Sequence, residues 1–157
     1  PLDTSQPRML NETPSQLLSH FAHPNAWWRN SAQRLLVLKQ DKSVVPALVT
    51  MARTSSNQLA KMHALWTLEG LGALDARLVR EQMKHPDPKI RIQAIRASET
   101  LYKAGDKSFA NDYRAMLKDA DTDVVIQAML TINLRRIPPY AALIRATKDA
   151  TSVRGIT

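Results

Sequence analysis

The chain has 157 residues, 44% hydrophobic, 23% charged and 5% aromatic, and 22 Lys and Arg against 14 Asp and Glu give it a formal charge of +8. That is material for one domain with a sizeable core, and the basic balance favours acidic partners over basic ones. Cys is absent, which excludes disulfides, thiolate metal sites, a Cys nucleophile and Cys-x-x-Cys-His haem attachment within this segment; nor is there a run of about 18 apolar residues to span a bilayer.

Residues 1–13 are polar, carry two prolines and show no periodicity, so they read as an arm or linker. They hold no apolar h-region, and a chain opening on Pro1 is expected to be processed or excised from something longer. A short helix is expected over 14–22. His23-Pro24-Asn25 breaks it, and Asn25 caps the next, over about 26–39. Ser43 is expected to cap a helix over about 44–53, where Pro46 falls in the first turn and is tolerated. The following helix runs from Asn57 to Glu69, with Gly70 and Gly72 read as its stop. Helices over about 76–84 and 88–103 come next, the second opened by Asp87-Pro88 and closed by Gly105. Then follow 108–118, 122–135 and a last helix near 139–148 behind Ile137-Pro-Pro139, with 149–157 as a tail. No strand pattern competes.

Four stretches align without gaps: Asn25–Ala32, Asn57–Ala64, Asp87–Ala94 and Asp121–Ala128. Each starts on Asn or Asp and reaches an alanine seven residues on. Trp28, Ala60, Ile90 and Val124 share the fourth place, and Arg29, Lys61, Arg91 and Val125 the next. The alanines lie 32, 30 and 34 residues apart, a period that marks a repeat array of helix pairs. Small side chains there allow close helix approach, and stacked pairs bury a core that no single pair holds. The expected fold is all-α, a right-handed α-solenoid of about four and a half short HEAT-like pairs over 14–148.

Few residues suggest chemistry. His20, His23, His63 and His85 do not form the three or four convergent ligands of a zinc site, and two of them stand in His-Pro turns at the same repeat point. Asp119, Asp121 and Asp123 resemble an acidic loop, but Val124 and Leu130 occupy the places where an EF-hand needs Gly and Glu. They sit instead at a helix start, where the dipole favours negative charge. No phosphate-binding Gly loop, nucleophile elbow or His-Glu-x-x-His is present. The expectation is a non-enzymatic segment with no cofactor and no metal. The basic place held by Arg29, Lys61 and Arg91 reads as a set of inter-repeat pairs with a neighbour's capping Asp or Asn.

Helix geometry isolates a more informative stripe. With the aligned alanine taken as the buried direction, the places five before, two before and two after it point the opposite way. They hold Trp27, Asn30 and Arg34; Leu59, Met62 and Trp66; Lys89, Ile92 and Arg96; and Asp123, Ile126 and Leu130. Apolar area interrupted by Arg is the usual make-up of a binding face. Trp27, Arg34, Met62, Trp66, Ile92 and Arg96 are the candidate protein-binding residues, while Trp28 falls on the core side.

His23-Pro-Asn-Ala-Trp-Trp-Arg-Asn-Ser-Ala-Gln-Arg-Leu-Leu36, His63-Ala-Leu-Trp-Thr-Leu-Glu-Gly-Leu-Gly-Ala-Leu74 and Ser152-Val-Arg-Gly-Ile156 resemble the HEAT-repeat segment of large exported bacterial proteins. In that family a dehydrogenase-like β-propeller precedes the segment and a c-type cytochrome module follows it. The resemblance implies a spacer or scaffold between those modules, in the periplasm or outside the cell, whose partner is a flanking domain or another protein. It transfers no activity. The competing expectation, from charge and exposed Trp, is a basic HEAT-like nucleic-acid-binding domain resembling DNA glycosylases of that architecture.

Overall fold

A computed structural model describes residues 8–138, together with positions 142, 145 and 146. Residues 1–7 of the expected arm, the rest of the expected 139–148 helix and the 149–157 tail lie outside the described residues. The described residues contain eight α-helices and no strand, and no helix is long and apolar enough to cross a membrane. The chain divides into two compact units, Pro1–Leu74 and Asp75–Thr157.

In the first unit a 3₁₀ turn at Met9–Asn11 buries Met9, so residues read as arm already join the core. Lys39 Nζ holds this turn by donating to the carbonyls of Leu10 and Glu12. Helix α1, Pro14–Ser19, opens on a reciprocal cap. Gln16 N–H donates to Thr13 Oγ1, and Thr13 N–H donates to Gln16 Oε1. A 3₁₀ turn, His20–Ala22, leads to α2, Ala26–Lys39, whose N-cap is Asn25. Gln40 ends α2 in the left-handed region at φ 49°, and its side-chain amide ties the carbonyls of Val37 and Gly70 together.

Two expectations for α3 and α4 are corrected. Ser43 is not the cap of α3, Val45–Thr54. Asp41 two residues earlier takes the Ser43 N–H at 2.9 Å and opens a 3₁₀ turn, Lys42–Val44, from which α3 grows with no side-chain cap. Gly70 is not a stop either; it is the last residue of α4, Gln58–Gly70. A Cβ there would meet Val37 Cγ2 at 2.6 Å, so the glycine serves the close approach of α2 and α4. Gly72, at φ 62°, makes the turn. Helix α4 packs on both α3 and α2, and α2 rests on α1 and its 3₁₀ extension. Leu17, Phe21, Leu36, Leu48 and Leu68 fill the space between them.

The second unit repeats this construction. Its helices are α5, Ala76–Gln82; α6, Pro88–Ala104; α7, Phe109–Met116; and α8, Thr122–Leu134. Asp75, Asp87 and Asp121 cap α5, α6 and α8 through side-chain oxygens. Helix α5 packs on α6, α7 on α8, and α6 on α8. Their core holds Leu78, Val79, Ile95, Phe109, Tyr113 and Ile132. The Tyr113 hydroxyl shares a 2.9 Å hydrogen bond with Ser98, and burial pushes this phenol up to about 12. Glu99 accepts from Thr131 and from Arg135, which clamps α6 to the end of α8.

Ala32, Ala64, Ala94 and Ala128 are all fully buried, as the repeat register requires. Replacing Ala94 by Leu is expected to destabilise the protein by about 1–3 kcal/mol, because added volume strains an interior already close-packed. Urea unfolding of the variant checks this, and an unchanged midpoint would contradict the packing described.

Candidate functional site

One turn recurs four times, ahead of α2, α4, α6 and α8. The residue two places before each cap accepts the cap's own backbone N–H. His23 Nδ1 accepts from Asn25, Ser55 Oγ from Asn57, His85 Nδ1 from Asp87 and Asp119 Oδ1 from Asp121, at 2.9–3.1 Å. The imidazoles of His23 and His85 are therefore turn builders. His20 pairs with Glu12 at 2.7 Å, and His63 Nδ1 meets Gln33 Oε1 at 2.6 Å. Burial first, and the charge of Arg29 second, hold His63 below the usual imidazole range. Among the described residues no three His, Asp or Glu side chains converge as a metal site would require.

The basic place at the start of each helix behaves differently from expectation. Arg29 Nη1 donates to the carbonyls of His23 and Pro24, and Arg91 Nη1 to those of His85 and Pro86. Lys61 Nζ donates to the carbonyl of Arg53. The two arginines thus brace the His-Pro turn before their own helix, while Lys61 reaches back to the last turn of α3. Arg91 also engages a carboxylate, and its partner is Asp119, two residues before the cap rather than the cap Asp121. Nε donates to Oδ2 at 2.9 Å and Nη2 to Oδ1 at 2.7 Å.

The six candidate binding residues divide between the units. In the first, Trp27 is 53% exposed and Arg34 is exposed on the same helix. Leu10 at 76% and Leu38 at 67% flank them, and together with Met9, Ser31 and Leu35 they line one groove. Met62 and Trp66 on α4 are half-buried. In the second unit Arg96 is exposed and Ile92 half-buried, while Ile126, Leu130 and Leu134 are exposed at four-residue spacing along α8. Ile126 and Leu130 fall on the stripe that the helix angles define. Leu38 and Leu134 lie one turn further on the same lines, and extending the pattern finds both. Leu10 had no such signal, because it belongs to a 3₁₀ turn without periodicity.

Trp28 departs from its aligned place. Ala60, Ile90 and Val124 are buried, whereas Trp28 is half-buried, with the His20 and His23 rings each 5.1 Å from it and Trp27 edge-on at 5.8 Å. A ring of that size covers the turn it starts from where the smaller residues insert between helices. Compared with models of known protein families and with curated proteins, the chain matches none.

The Arg91–Asp119 pair gives a pH prediction. Burial works to raise the Asp119 carboxyl, but the hydrogen bonds from Arg91 and from the Asp121 N–H, with the Arg91 charge, lower it below 3.8. A depressed folded value contributes stability above the unfolded one and loses it as pH falls through the folded one. Asp119→Asn should therefore cost about 1–3 kcal/mol at neutral pH. The gap to the parent should close on acidification below the ordinary carboxylate range. Denaturant unfolding of both proteins at neutral and acid pH measures it; a gap independent of pH would count against an ionic Arg91–Asp119 contact.

Proposed function

We propose that the chain is a non-catalytic protein-interaction scaffold whose helix pairs stack as short HEAT-like repeats of a right-handed α-solenoid. Support for the repeat reading lies within each unit. The long helices α2 and α4 pack side by side, as do α6 and α8, and the aligned alanine of each is fully buried. That is the relation expected between successive repeats of a stacked array.

The observation that carries the interaction reading is the groove around Trp27. A large indole, two leucines more than half exposed and an exposed Arg34 form an apolar surface with one cation in it. Aromatic and Arg side chains are the types whose loss costs most at protein interfaces. The family resemblance supplies the setting: a spacer between a redox propeller and a c-type cytochrome module of an exported protein, with a flanking domain as the partner. The redox chemistry then belongs to those modules.

Calorimetric titration of the chain with the domains encoded beside it tests the reading. Trp27→Ala should weaken binding tenfold or more, a loss of about 1.4 kcal/mol or greater, while leaving the melting temperature nearly unchanged. Equal binding by the variant would remove the groove from the interface. Tight binding to duplex DNA that falls steeply with added salt would favour the nucleic-acid reading instead.

A further inference from the structure

The first unit holds a buried guanidinium with a donor that no protein group among the described residues takes up. Arg29 is 8% exposed. Its Nη1 is satisfied by two carbonyls, yet Nε is buried without an acceptor and the side chain makes no ion pair among the described residues. Buried cations are ordinarily paired, because an unsatisfied donor and an uncompensated charge both carry a desolvation penalty.

The second unit contains the completed version of the same arrangement. Arg91 braces its own His-Pro turn with Nη1, as Arg29 does, and gives Nε and Nη2 to Asp119. Asp119 performs two tasks at once, since Oδ1 also accepts the N–H of Asp121. At the equivalent place in the first unit stands Ser55. Its hydroxyl takes the Asn57 N–H at 3.1 Å and contacts the Asn57 carbonyl at 3.4 Å, which completes the turn but leaves nothing to reach an arginine. The Asp119 side chain is a tenth exposed and Ser55 is half-buried, so this turn borders water in both units. The charge of Arg29 is also felt at His63, where it helps to keep the imidazole neutral.

We infer that Arg29 is a socket for a carboxylate from outside the chain, which enters over the Ser55 turn and pairs with Nε as Asp119 pairs with Arg91. The guanidinium edge selects a planar anion that can accept two parallel N–H bonds. Its source is either a small free acid or a carboxylate carried by a protein. The socket stands apart from the Trp27 groove, and does not depend on the interaction reading.

The Nε–Hε signals of the ¹⁵N-labelled chain test this directly. Sodium formate, added at constant ionic strength against chloride, should shift the Arg29 signal saturably and leave the Arg91 signal in place. Ser55→Asp should fill the socket from within, move the Arg29 signal toward that of Arg91, abolish the formate response and raise the melting temperature by roughly 2–4 °C. Asp119→Ser should do the reverse, making Arg91 responsive, and serves alone if Ser55→Asp does not fold. N-acetyl-glutamate N-methylamide separates the sources. Saturation at tenfold lower concentration than formate assigns the socket to a protein-borne carboxylate, and equal saturation assigns it to a free acid. An Arg29 signal that ignores both probes, follows chloride equally, or responds unchanged in Ser55→Asp would overturn the inference.

Discussion

Four alanines set the distances in this molecule. Each lies seven residues after a cap, each is fully buried, and each lets a long helix approach its neighbour more closely than any larger side chain would allow. Gly70 takes the same constraint to its limit, with Val37 occupying the space of a Cβ. Small residues at these places allow close helix approach and leave the larger apolar side chains to lie elsewhere on each helix. Phe21, Phe109 and Tyr113 are fully buried, and Trp27, Leu38, Leu130 and Leu134 are left exposed. Core and exposed apolar face are two outcomes of one spacing.

The caps follow the same economy of form with freedom of residue type. An imidazole, a hydroxyl and a carboxylate all accept the cap's backbone N–H at the same place. What the turn demands is an acceptor of the right reach, and the choice among them decides what else that residue does. A carboxylate reaches on to Arg91, whereas a hydroxyl stops at the turn. In the second unit Arg80, Arg91 and Arg135 are engaged by Asp112, Asp119 and Glu99. Each such pair removes one cation and one anion, so the surplus of +8 stands and is carried by the other Lys and Arg side chains.

The helices were legible in the sequence because their signals are local: Asn or Asp caps, Pro in the first turn and alanine at a fixed distance. Asn25, Asn57, Asp87 and Asp121 all cap as their spacing implies. The failures involve competition between neighbours or contacts far along the chain. Asp41 displaced Ser43 as the helix-opening acceptor, and Gly70 answered to Val37 across a helix pair rather than to a turn. The stripe was legible only by angle. Periodicity gives direction but not how far a neighbouring helix covers a residue, so Trp27 is exposed while Met62 and Trp66 are half-buried. The Asp119 partnership was hidden for a similar reason, since the repeated positions are the caps and the ion pair forms two residues upstream of one.

The division into two units has an optical consequence. All three tryptophans, Trp27, Trp28 and Trp66, fall in the first unit, and all three tyrosines, Tyr102, Tyr113 and Tyr140, in the second. Emission excited at the red edge of the absorption band therefore reports on the first unit alone, and second-derivative absorbance, which resolves the phenol band from the overlapping indole band, on the second. Without a single label, the two halves of the chain can be watched separately as they lose structure, and coincident or separate transitions reveal whether they unfold as one cooperative body.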